Sequence, residues 1–295
     1  MNNYRVKKVY IPQLTTNRLI HAILLNTIQS QGGASTANQL LGNIVNHTYP
    51  EGTNFSEIPE IPFDSNEDDN AEYQRIAQQN IITPNPLAQF WIYYPINVVN
   101  KRLNIAADPA FSRFIHNGRV DVFAMIHYFS QPNAWRTAQK IFHQYFRGGN
   151  NLYTMPVYSG LIDGANISRF AMQINQPIPN TGYNPQADRC TLNCIYMGDF
   201  VPGIGRNPRR LNKLKSIFGP YWTMANVLQV PHHGSYRNYH WGIYNQHRVV
   251  FVSCNDNDPK HPSTSVWQRI ATHQSVRYKV TELPNSVLLF IYDFA

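Results

Sequence analysis

The sequence predicts an α/β layered fold, and three observations predict it. From Thr191 onward, short runs of branched and aromatic residues alternate with stretches of helical periodicity. Two earlier runs, Gln89 to Pro95 and Val120 to Tyr128, are rich in aromatic and branched residues and bounded by turn formers, as in strands covered on both faces. The composition, 43% hydrophobic and only 14% charged, is that of a chain that buries a core. At 295 residues it can do so without disulfide or metal staples. We read residues 1–295 as a single domain with an irregular excursion at about 32–85 and a motif-bearing half at 190–295.

In chain order, Tyr4 to Ile11 alternate and stop at Pro12, which predicts a strand. Asn17 to Gln29 place Leu19, Ile20, Ile23, Leu24 and Ile28 at helical spacing. Gly32 to Asn85 turn to Gly, Ser, Asn and Pro with an acidic cluster, Glu67-Asp68-Asp69, and predict a long loop holding one short helix near Ala71 to Gln79. Asn133 to Phe146 carry Trp135, Ala138, Ile141, Phe142 and Tyr145 along one helical stripe that Gly148-Gly149 ends. Strands follow at Arg169 to Ile174 and Thr191 to Tyr196, then a basic helix at Pro208 to Ile217 and strands at Val227 to Val230 and Val249 to Ser253. A helix at Ser263 to Thr272 and strands at Tyr278 to Glu282 and Ser286 to Tyr292 complete the pattern.

The formal charge of +8 favours anionic partners such as nucleic acid, nucleotides or acidic headgroups. The basic residues are scattered, except for Arg5-Val6-Lys7-Lys8 and the stretch from Arg206 to Lys215, whose Leu211 and Leu214 would turn inward. Three cysteines are too few for a disulfide scaffold, so we expect reduced thiols and a cytoplasmic location. No run reaches membrane-spanning length and no export signal stands at the N-terminus, so no membrane role is expected.

Three pieces carry the chemistry. Tyr196-Met197-Gly198-Asp199-Phe200 places an acid just past the end of an apolar strand, where α/β sheets hold ligand-binding groups; the same position also suits a turn former or helix cap. Leu228 to Ser235 (LQVPHHGS) delivers two adjacent imidazoles, His232 and His233, at a strand exit. A pleated strand sends neighbours to opposite sides, so the two cannot both enter the core. Neutral imidazole is a common zinc ligand, and structural hydrogen bonding is the alternative. Finally, Val250 to Asn255 and His261-Pro262-Ser263 form a strand, a polar loop and a helix entry. Ser263 can cap that helix, and its positive end with His261 would suit a phosphate.

Together, in this order and over about 80 residues, the three pieces resemble the metallo-β-lactamase superfamily, in particular the hydrolase branch of competence-type DNA-uptake proteins. The resemblance implies an αββα sandwich and one or two zinc or manganese ions. Asp199, His232 and His233 would be the metal ligands, with His261 over the substrate phosphate and Ser235 and Ser263 beside the substrate. It implies hydrolysis of a phosphodiester, in nucleic acid or another phosphate ester. The chain departs from the family in lacking its earlier His-x-His-x-Asp-His segment. The run ending at His127 to Pro132 would keep one of those ligands; alternatively, the strand ending at Pro12 follows the missing segment, and a partner chain or a longer precursor supplies the first half. A catalytically inactive binding or assembly module of the same fold is the alternative expectation.

Overall fold

The computed structural model describes residues 8–31, 36–46, 54–62, 70–83, 91–99, 104–131, 133–145, 153–162, 172–174, 193–202, 208–243, 249–272, 276–283 and 290–292. The elements run β1 (Lys8–Pro12), α1 (Thr16–Gln29), α2 (Thr36–Val45), β2 (Asn54–Ile58), β3 (Glu60–Pro62), α3 (Asn70–Gln78), β4 (Trp91–Pro95), β5 (Asn97–Val99), β6 (Ile115–His116), β7 (Arg119–Val120), α4 (Val122–Phe129) and α5 (Ala134–Tyr145). They continue with β8 (Tyr153–Thr154), β9 (Val157–Leu161), β10 (Met172–Ile174), β11 (Asn193–Tyr196), α6 (Arg209–Phe218), α7 (Pro220–Met224), β12 (Ala225–Gln229), β13 (Val249–Ser253), α8 (Thr264–Thr272), β14 (Val276–Val280) and β15 (Phe290–Tyr292). The chain forms two compact units, Met1–Ile58 with Lys101–Leu152, and Pro59–Asn100 with Tyr153–Ala295.

The first unit is mainly helical. Helix α1 buries Leu19, Ile20, Ile23 and Leu24 on one face and packs against α5, α4 and α2. His21 lies in the same interface, its ring 5.7 Å from that of Phe142. Burial, and then the charge of Arg18, lower its pKa to about 4. Asn26 and Thr27 of α1 pair with α2: Asn26 Nδ2 donates to Asn38 Oδ1, and Asn38 Nδ2 to Thr27 Oγ1. Strands β1 and β2 pair in parallel, while β6 and β7 form a hairpin turned by Asn117 and Gly118, both at positive φ.

The second unit is built on a six-stranded sheet of order β14-β13-β12-β11-β9-β4. Strands β11 to β14 are parallel, and β9 runs antiparallel to both of its neighbours. Branched residues fill the central strands because both faces are covered. Leu211, Leu214, Ile217 and Phe218 of α6, and Val266 and Ile270 of α8, join Ile195, Leu228, Val250 and Val252 in one core. Asn193 is fully buried at the start of β11, and its amide bridges elements: Oδ1 accepts from Leu161 N–H and Nδ2 donates to the Met224 carbonyl. The basic helix α6 is less solvated than its sequence suggests, since the Lys213 ammonium sits 4.1 Å from the Tyr73 ring centre and Lys215 donates to the Gly242 carbonyl.

The general α/β class is present, with parallel strands alternating with helices in the second unit. One predicted strand is corrected. Residues Val122–Phe129 are helix α4, because Asp121 accepts from Ala124 N–H as an N-cap and Val122, Met125 and Phe129 fall at three- and four-residue spacing on the buried face. Between 32 and 85 the described residues hold α2, β2, β3 and α3, more regular structure than one short helix. Strand β9, not anticipated from the sequence, joins β4 to the parallel strands. The described cysteines, Cys194 and Cys254, are buried free thiols, and Cys190 lies outside the described residues. Among the described residues no helix is long and apolar enough to cross a membrane.

Candidate metal centre at the strand ends

The loops leaving β11, β12 and β13 meet at one edge of the sheet, because these strands are parallel and adjacent. The four residues predicted as metal ligands or catalytic groups stand there. Asp199 follows β11, His232 and His233 follow β12, and His261 lies in the loop between β13 and α8.

His232 Nδ1 lies 3.2 Å from Asp199 Oδ1. The two side chains are 30% and 49% exposed. A pair so open to water adds at most about 1 kcal/mol, so stability alone does not account for the arrangement. His233 Nδ1 lies 2.6 Å from the Ser253 carbonyl oxygen, and His261 Nδ1 lies 3.0 Å from Asp258 Oδ2. Each acceptor selects the tautomer with the proton on Nδ1, which directs chemistry to Nε2. The His232, His233 and His261 ring centres form a triangle with sides of 6.0, 6.1 and 6.4 Å. Asp258 is held below the usual carboxylate range by the Lys260 N–H and then by His261.

The adjacent imidazoles do not alternate as a pleat would place them. His232, His233 and Gly234 have φ of 49°, 54° and 74°, a left-handed turn. Non-glycine residues in that region cost about 1–2 kcal/mol each. Hydrogen bonds offset the cost: His232 N–H donates to the Gly198 carbonyl at 2.8 Å, and Ser263 N–H donates to the Gly234 carbonyl at 3.1 Å. The first joins the turn to the Asp199 loop and the second to the His261 loop. Gly234 is required twice over, by its φ and because a Cβ there would lie 2.8 Å from Pro262 Cβ.

Two residues that position the site carry no motif of their own. Gln229, the last residue of β12, accepts from Met197 N–H and Gly198 N–H through Oε1, and its Nε2 donates to Ser253 Oγ. One side chain thus ties the ends of β11, β12 and β13 together. Asp258 orients His261. The signals were a polar residue closing an apolar strand and a carboxylate three residues before a histidine, both common enough to carry no weight alone. Ser263 receives a long contact of 3.4 Å from Val266 N–H, the cap of α8, and Ser235 lies half-buried after the turn, where its carbonyl accepts from Asn238 N–H.

Two ligands on one tetrahedral zinc, each bonded at about 2.0–2.1 Å, stand about 3.3 Å apart. The 3.2 Å between His232 Nδ1 and Asp199 Oδ1 fits that separation, and an imidazole with a carboxylate is zinc-binding chemistry. His233 Nδ1 is committed to a backbone carbonyl. No group of three His, Cys, Asp or Glu side chains able to hold an ion occurs among the described residues. The pair therefore fits as part of a shell, and a catalytic zinc, which takes three protein ligands, needs donors from outside the described residues. Compared with known proteins, the chain matches no family model, no curated protein and no solved structure.

Proposed function

We propose that the second unit is a phosphodiester-hydrolysing domain of metallo-β-lactamase type, acting on nucleic acid or another phosphate ester. The observation that supports this most directly is the meeting of Asp199 and His232 at 3.2 Å, from two separate strand ends, beside His233 and His261. Asp199 and His232 would hold zinc or manganese together with donors from a partner chain or from beyond the described residues. A bound ion of this kind supplies a water acidified toward neutral pH.

The chain's own residues do the rest. His261, fixed by Asp258 through Nδ1, presents Nε2 toward the substrate; carrying a proton on both nitrogens, it donates from Nε2 to a phosphate oxygen and steadies the charge that develops there. Gln229 holds the backbone on which Asp199 stands. The excess of basic residues draws a polyanion toward the domain.

A second reading has an observation in its favour. All three imidazoles already have an internal acceptor on Nδ1, so the cluster is satisfied as it stands, as suits a catalytically inactive binding or assembly module. The readings separate by elemental analysis of purified protein and by hydrolysis of bis-p-nitrophenyl phosphate with added Zn or Mn. Metal-dependent turnover that falls at least a hundredfold in both Asp199→Asn and His232→Ala is the expected result. No bound metal, with turnover indifferent to both substitutions, would leave the binding module.

A further inference from the structure

Beside the candidate metal centre lies a cavity of ≈ 330 Å³, lined by His233, Cys254, Asn255, Asp258, Thr281 and Glu282 among others. That is the size at which small-molecule sites begin, about 300 Å³. It adjoins the centre through two of its walls: His233 belongs to the imidazole cluster, and Asp258 is the partner of His261.

Its charge opposes that of the whole chain. Against a formal +8 overall, the cavity presents the carboxylates of Asp258 and Glu282. The Cys254 thiol in its wall is pushed up by burial first; of the charges acting on it, Lys279 pulls the other way, while Asp258, Glu282 and Asp256 push it further up. Lys279 is itself occupied, donating Nζ to the Asp256 carbonyl. The Cys254 side chain, 9% exposed, has no hydrogen-bond partner among the described residues and stays a neutral thiol at the cavity wall. Asn255 and Thr281 add polar groups at the rim. Such a lining suits a cation or a hydrogen-bond donor and repels a second phosphate.

We propose that this cavity takes an ammonium-bearing arm of the substrate, so that the ester bound here joins a phosphate at His261 to an aminoalkyl group lying between Asp258 and Glu282. This rests on the phosphate site proposed above and narrows its substrate class from phosphate esters at large to those with a cationic substituent. Glu282 is then a specificity-determining residue. It is exposed, and its Oε2 accepts only the Asp256 N–H among the bonds described, so its replacement leaves the core intact.

Binding calorimetry on the full chain tests the proposal with two probes, phosphoethanolamine and its N-acetyl derivative, which keeps the phosphate and loses the charge. The wild type should bind phosphoethanolamine at least tenfold more tightly. Glu282→Gln should cut that ratio at least threefold, whereas His261→Gln should weaken both probes by the same factor. A wild-type ratio near one, or a ratio that Glu282→Gln leaves untouched, overturns the cavity assignment while the phosphate site stands. Binding of neither probe overturns the phosphate site and this inference with it. Because no turnover is needed, a tenfold ratio upholds the cavity whether or not the chain hydrolyses bis-p-nitrophenyl phosphate, which alone tests the catalytic reading.

Discussion

Gly234→Ala should be the most damaging single-carbon addition among the residues of the imidazole turn, and its cost can be worked out in two parts. The residue sits at φ +74°, where an L side chain costs about 1–2 kcal/mol. The added Cβ would also lie 2.8 Å from Pro262 Cβ, 3.2 Å from Pro262 Cα and 3.4 Å from Val252 Cγ1. The first two belong to a closed ring and its backbone, which cannot swing aside, so overpacking adds about 1–3 kcal/mol. Gly118→Ala is the natural control, since Gly118 has φ +75° and nothing within 4 Å of the same added atom. It should lose only the first part. The entropy that alanine removes from the unfolded chain, about 0.4–1 kcal/mol, is common to both and cancels in their difference. Urea unfolding of the wild type and both variants measures the losses, with hydrogen exchange of Ser263 N–H, which donates to the Gly234 carbonyl, as a local readout. Gly234→Ala should lose about 1–3 kcal/mol more than Gly118→Ala and should speed exchange at Ser263. Equal losses in the two variants would refute the reasoning, because the close approach to Pro262 would then have no energetic consequence.

Two further outcomes are expected. Gln229→Leu leaves Met197 N–H and Gly198 N–H without their acceptor, so both amides should exchange at least tenfold faster, with a stability loss of about 1–3 kcal/mol; unchanged exchange would show that Gln229 does not hold the Asp199 loop. His21, with its pKa lowered from 6.5 to about 4, binds its proton more readily in the unfolded chain, so the stability of the first unit should be full above pH 6.5 and fall by about 3 kcal/mol as pH drops to about 4. A chemical-denaturation series across that window, repeated on His21→Gln, should show the slope and its loss; an identical slope in the variant would assign the effect to other groups.

The parallel strands and their flanking helices were legible because their periodicities are strong and local: β13 spans Val249–Ser253 as its run of branched residues predicts, and α1, α5, α6 and α8 fall within a residue or two of their apolar stripes. The motif residues were legible as candidates, and their convergence followed from placing them after adjacent parallel strands. Helix α4 was misread because a run in which nearly every residue is apolar hides its period, and the decisive signal was the single capping carboxylate of Asp121. Partnerships across loops were not legible. That Gln229 serves both neighbouring strands, that Asp258 holds His261, and that Gly234 lies against Pro262 are facts of tertiary approach. The left-handed path of His232 and His233 was hidden for the same reason, since bonds to the separate loops at Gly198 and Ser263 help sustain it.

One of the two outer strands of the large sheet, β4, comes from the segment inserted between the two stretches of the first unit, while its neighbour β9 begins after the second stretch. A recombinant fragment starting at Tyr153 would therefore bare the hydrogen-bonding rim of β9 and the seats of Ile92 and Tyr94, both at most 1% exposed in the intact chain. Such a rim is a template for sticking to other chains. Anyone wishing to produce the site-bearing half by itself should graft residues 59–100 ahead of 153 through a short flexible connector, rather than cut the gene once.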